Sequence, residues 1–160
     1  MVFFICLKVL TNNTNINNMA LKPLKTGDWK IKTLPKTASV TFTNGDLVML
    51  TSGYVATATA QSTKHLGIIL QSVTSGDSNF ASATNVKVAV PSSLWSEFEA
   101  DVTGTLLTTS LGVQYDMSTA GLVNKAGTTY KVVTCVGFIS TAKGRFILNS
   151  NMAFADITWD

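Results

Sequence analysis

From Gly104 to Phe146 the chain is a series of short β-prone runs parted by glycine or polar turn residues. It reads Gly104-Thr-Leu-Leu107, Leu111-Gly112-Val-Gln-Tyr115-Asp116-Met117, Gly121-Leu-Val-Asn124, Tyr130 to Ile139 and Gly144 to Leu148. Upstream, Leu47–Leu50, Gly53-Tyr-Val55 and His65–Leu70 follow the same grammar. Short strands at regular spacing, with turn signals between them, predict an all-β fold: a small β-barrel or sandwich.

Local signals place the turns. Asn44-Gly45, between Val40–Thr43 and Leu47–Leu50, predicts a hairpin with positive φ at Gly45. Ser52-Gly53 predicts the next turn. The near-continuous apolar run from His65 to Val73 predicts a strand buried on both faces. Asn85–Val90 alternates and stops at Pro91. Further strands are expected at 105–108, 112–116, 121–124, 129–139 and 144–149. Gly67 and Gly137 lie inside apolar strands, where glycine marks a bulge or a close backbone approach. The one candidate helix, Ser92–Ala100, offers Leu94, Trp95 and Phe98 at helical spacing; a single turn or an extended crossover fits the same residues.

A chain of 160 residues can bury a core without disulfides. Cys6 and Cys135 stand far apart in unlike contexts, so no disulfide framework is expected. Charged residues are only 13% of the chain and mean hydropathy is +0.27, yet no apolar run is long enough to span a bilayer. Threonine and serine must therefore carry much of the surface, which resists self-association poorly.

Charge divides the chain. Residues 1–38 hold six lysines against the single Asp28, whereas residues 39–160 hold six basic and eight acidic groups. The expected organisation is an N-terminal extension over 1–18, an extended basic arm over 19–38 and a β-barrel over 39–160. The extension has an apolar run and an Asn-rich spacer, without the basic n-region and small-residue cleavage site of a signal peptide. Met19 offers a second start beside Met1. Within the arm, Pro23 and Pro35 favour extended geometry, and Trp29–Leu34 alternates as a strand does. It reads either as an arm meeting an acidic partner surface or as the first strand of the barrel. Six lysines without arginine or clustered aromatics are a poor nucleic-acid signature.

Residues suited to catalysis are sparse. His65 is the only histidine, and no His/Cys/carboxylate cluster has metal-ligand spacing. Cys135 reads as a small core residue. Glu97, Glu99 and Asp101 beside Trp95 read as a solvated acidic edge rather than a glycosidase pair. Asp46 and Asp116 sit where carboxylates satisfy backbone amides. Phosphate-binding and nucleophile-elbow motifs do not occur. No catalytic, cofactor-binding or metal residue is assigned, and the chain is not expected to be an enzyme.

The order of motifs carries a resemblance over residues 40–148. Gly45-Asp-Leu-Val48 leads to Gly53-Tyr-Val55, then Leu66-Gly-Ile-Ile69, then a valine-rich strand ending at Pro91. The run from Ala100 through Thr103-Gly104-Thr-Leu, Leu111-Gly-Val-Gln-Tyr-Asp-Met117, Gly121-Leu-Val-Asn124 and Val136-Gly-Phe-Ile139 to Gly144-Arg-Phe146 completes it. This resembles the small capsid decoration, or cement, proteins of tailed bacteriophages. The resemblance implies a β-barrel on the outer capsid surface, often a homotrimer, made in the host cytoplasm. It also implies an N-terminal arm on the major capsid (coat) protein, here Lys22, Lys25, Trp29, Ile31, Lys32 and Leu34. Trp95, Phe98 and Trp159 are possible interface aromatics. The alternative reading is a head- or tail-fibre module that recognises host surface glycan through Trp95. Membrane and nucleic-acid partners are not expected.

Overall fold

The computed structural model describes residues 19–24, 28–59, 62 and 65–149. Eleven strands make up the fold: β1 (Leu21–Pro23), β2 (Trp29–Pro35), β3 (Leu47–Thr51), β4 (Tyr54–Thr57), β5 (Gly67–Ile69), β6 (Asn85–Pro91), β7 (Glu97–Thr103), β8 (Gln114–Thr119), β9 (Leu122–Asn124), β10 (Val133–Ser140) and β11 (Lys143–Leu148). A short 3-10 turn, Thr108–Ser110, precedes β8. The protein is all-β, as expected, and no α-helix occurs among the described residues.

Five strands close into a barrel in the order β7, β11, β10, β8, β9. Closure comes where Val102 and Thr103 of β7 pair in parallel with Val123 and Asn124 of β9. β1 lies along the rest of the same β7 edge, with Leu21 opposite Ala100 and Pro23 opposite Phe98. The second sheet runs β2, β6, β5, β3, β4. It curls until its outer strands approach, where Thr37 N–H donates to Val55 O at 2.9 Å.

Period-two patterning explains both sheets. On β7, Phe98, Ala100 and Val102 are buried in the barrel while Asp101 faces water. This pattern outcompetes the helical spacing of Leu94, Trp95 and Phe98, so the candidate helix becomes a turn and a strand. In the second sheet alternate residues enter different cores. Leu47, Ile68 and Ala89 join the barrel core. Val48, Ile69, Val88 and Val90 join a second core with Phe42, Val55, Leu66, Val73 and Val86. Both faces are covered, which accounts for the unbroken apolar run at β5.

The two positive-φ turns differ in kind. Ser52 (φ 51°) and Gly53 (φ 83°) are both left-handed and join β3 to β4, as a two-residue type I′ hairpin requires. At Asn44-Gly45 only Gly45 is left-handed, with φ 93°. That conformation suits a type II turn, closed by Asp46 N–H donating to Thr43 O at 2.9 Å. The expected hairpin is therefore absent. Phe42 bridges to Val73, and β3 pairs with β4 and β5. Gly67 packs directly beneath the Ala89 carbonyl, and the β10–β11 register shifts between Cys135 and Gly137. Both glycines behave as the sequence indicates.

The boundary expected at residue 38 does not divide the fold. β2 pairs with β6 along its whole length, from Trp29 opposite Pro91 to Pro35 opposite Asn85. Trp29 is buried, meets the Phe98 ring edge-on at 6.4 Å, and donates Nε1–H to Glu97 O at 3.1 Å. It thus ties the second sheet to the barrel. Residues 29–34 are thus a strand rather than a free arm, but a strand of the second sheet and not the first strand of the barrel.

Candidate interaction surfaces

The residues expected at interfaces scatter. Trp29 and Phe98 are core residues, the latter fully buried and stacked obliquely on Phe146, so neither offers a surface to a partner. Leu34 packs against the second core. Lys22 and Lys32 are half-buried, and Ile31 is 66% exposed. Lys25 and Trp159 lie outside the described residues. Lys36, counted in the basic arm, has no accessible surface: its Nζ donates to Phe80 O at 2.9 Å and Ser82 O at 2.7 Å. The ammonium clamps the 74–84 loop against the second sheet.

Trp95 is 73% exposed, the highest value among the exposed large apolar residues, and Leu94 beside it is 50% exposed. Their loop, between β6 and β7, is held closely. Ser92 N–H donates to Asp28 O at 2.9 Å, Ser93 N–H to Ser96 Oγ at 3.2 Å, and Trp95 N–H to Ser93 Oγ at 3.2 Å. Ser96 Oγ donates to Asp28 O. Serine hydroxyls thus replace the missing ladder bonds, and the indole is presented on a fixed base.

Further exposed apolar residues lie on β10 and on the segments beside it. Leu107, Leu111, Val113, Phe138 and Ile139 are each 38–52% exposed. Backbone bonds tie their segments: Leu106 N–H donates to Thr141 O at 2.7 Å, Gly112 N–H to Cys135 O at 2.8 Å, and Cys135 N–H to Val113 O at 3.0 Å. The sequence did not mark these residues, because all but Leu111 fall within expected strands.

The groups with chemical potential are occupied structurally. The buried Asp116 carboxylate accepts from Thr129 N–H at 3.0 Å and from Tyr130 and Lys131 N–H at 2.7 Å each. Asp46 Oδ2 accepts from Thr43 N–H at 3.0 Å. Cys135 is buried, and desolvation pushes its thiol up. An open cleft of about 410 Å³ is lined by Thr103, Gly104, Thr105, Asn124, Lys125 and Ala126. Its lining has one ionisable group, Lys125. No group of three or more His, Cys, Asp or Glu residues forms a metal site among the described residues.

His65 is buried, and neither ring nitrogen has a hydrogen-bond partner. Burial lowers its pKa from 6.5 to about 4, because charge is disfavoured away from water. As pH falls, the unfolded chain takes up this proton first. The stability present above pH 6.5 is therefore lost progressively down to about pH 4, on the order of 3 kcal/mol in total. Asp46, whose carboxyl is raised by burial, acts in the opposite sense. Urea unfolding at pH 7 and pH 5 should show the loss in the wild type and a smaller one in His65→Leu. Equal losses in both would remove His65 as the cause.

In comparisons with known proteins, no family model and no curated protein matches the chain.

Proposed function

We propose that this protein is a structural decoration protein of a viral shell of the tailed-phage type. It would bind the outer capsid surface and bridge coat-protein subunits. The observation that carries this reading is Trp95, largely exposed on a serine-stapled loop of a rigid all-β frame. Exposed aromatic anchors on fixed supports contribute binding energy at small ordering cost. The exposed apolar residues on and beside β10 supply a second contact, suited to self-association as a homotrimer. The low charge content and the resemblance in motif order support the same reading. The contact residues move from the proposed arm, whose Trp29 is internal, to Leu94 and Trp95.

The test is saturable co-sedimentation with empty tailed-phage capsids. Trp95→Ala should weaken binding by about 2 kcal/mol, roughly thirtyfold, with an unchanged melting temperature. Absence of saturable binding by the wild type would overturn the proposal. The second reading, a fibre-type module that stacks host glycan on Trp95, rests on the same exposed indole. Glycan binding lost in Trp95→Ala, without shell binding, would establish it instead.

A further inference from the structure

The Asn44-Gly45 turn sits where the two sheets meet. Gly45 O accepts from Leu21 N–H of β1 at 3.0 Å, and Gly45 N–H donates to Ile69 O of β5 at 2.9 Å. The space a side chain would need at Gly45 is filled by the Met19–Leu21 backbone. Asn44 N–H donates to Ser72 Oγ at 3.0 Å, while its side-chain Oδ1 is buried without a partner.

We propose that Asn44 is a conditional deamidation site, closed while β1 is seated and open when β1 leaves. Deamidation requires the Gly45 amide nitrogen to lose its proton to solvent base and attack Asn44 Cγ. The Cγ–Nδ2 bond breaks and ammonia leaves, giving a cyclic imide. Water then adds to either imide carbonyl and opens the ring to aspartate or isoaspartate. Glycine at the second position leaves this attack sterically unhindered in a free chain. In the folded protein the attacking nitrogen is committed to Ile69 O, and β1 closes over the turn. Proton loss from Gly45 would forfeit that bond, and the turn cannot swing its nitrogen toward Cγ without displacing Leu21.

Conversion is also hard to reverse structurally. A carboxylate in place of the amide puts charge where Oδ1 is now buried and unpartnered, which is costly. Isoaspartate adds a backbone carbon and shifts Gly45 out of register with both Leu21 and Ile69. Either product weakens the seat of β1, so one opening event is recorded permanently.

Intact protein and protein held in unfolding urea would be incubated at the same mildly alkaline pH. Peptide mass analysis then reads the amide-to-acid conversion at Asn44. Folded protein should convert at least about tenfold more slowly, since exchange-type chemistry at a buried bond needs local opening. Equal rates would overturn the proposal. After return to buffer, urea-aged wild type should recover a smaller folded fraction than Asn44→Gln aged in parallel. Equal recovery of the two, with Asn44 converted, would overturn the structural consequence.

Discussion

Lys36→Met should destabilise the protein by about 2 kcal/mol and lower the melting temperature by about 6 °C. Methionine fills most of the volume of the lysine stem, so little cavity forms. The loss is polar. Ser82 O accepts from Nζ at 2.7 Å and would lose its donor, whereas Phe80 O, 2.9 Å from Nζ, would keep the Ser39 N–H at 2.8 Å. A buried acceptor left bare costs about 1–3 kcal/mol. The 74–84 loop should also become the first proteolytic cleavage site. A wild-type melting temperature in the variant would show that the clamp contributes nothing.

The second large effect is expected at Gly67. A Cβ built there overlaps the carbonyl oxygen of Ala89 and comes 3.1 Å from Val90 Cα. Both belong to backbone that cannot rotate aside, and β5 and β6 are hydrogen-bonded neighbours at this point. Gly67→Val should cost about 3 kcal/mol or more, at the upper end of overpacking effects. Gly67→Ala should share most of that cost, because its one added carbon already meets the carbonyl. Gly53→Ala provides the contrast. Nothing lies within 4 Å of a Cβ there, although φ is +83°, so only conformational strain of about 1–2 kcal/mol applies. Equal, small effects at both positions would show that β5 and β6 separate easily to admit a side chain.

What the sequence made legible was whatever short-range geometry decides. The β3–β4 turn, the positive φ at Gly45, the tight fit at Gly67, the bulge near Gly137 and the amide-binding role of Asp116 all follow from a residue and its neighbours. What it hid depends on pairing across long separations. Trp29 reads as part of an arm until Pro91 is known to lie opposite it. Asn44-Gly45 reads as a hairpin until β1 is known to run beside it. Leu94, Trp95 and Phe98 fit one helical face, and only the barrel shows that Phe98 alternates inward with Ala100 and Val102. Lys36 belonged to the solvent-facing charges by type, and its burial is tolerable chiefly because the carbonyls of a distant loop accept from it. Among the exposed apolar residues, Trp95 was recognisable from the sequence as a possible interface aromatic. The exposure of Phe138 was not, because exposure at a strand end leaves no mark on the local pattern.

The second sheet has a consequence for how the molecule fails. It is a party wall: Ile68 and Ile69, consecutive in the chain, furnish two different rooms. Neither room can be emptied while the wall stands, and β5 at its centre has no free side on which to survive alone. Heat or denaturant should therefore bring both down together, in a single sharp transition. The molecule would then be present either intact or not at all, with no half-built form to misassemble.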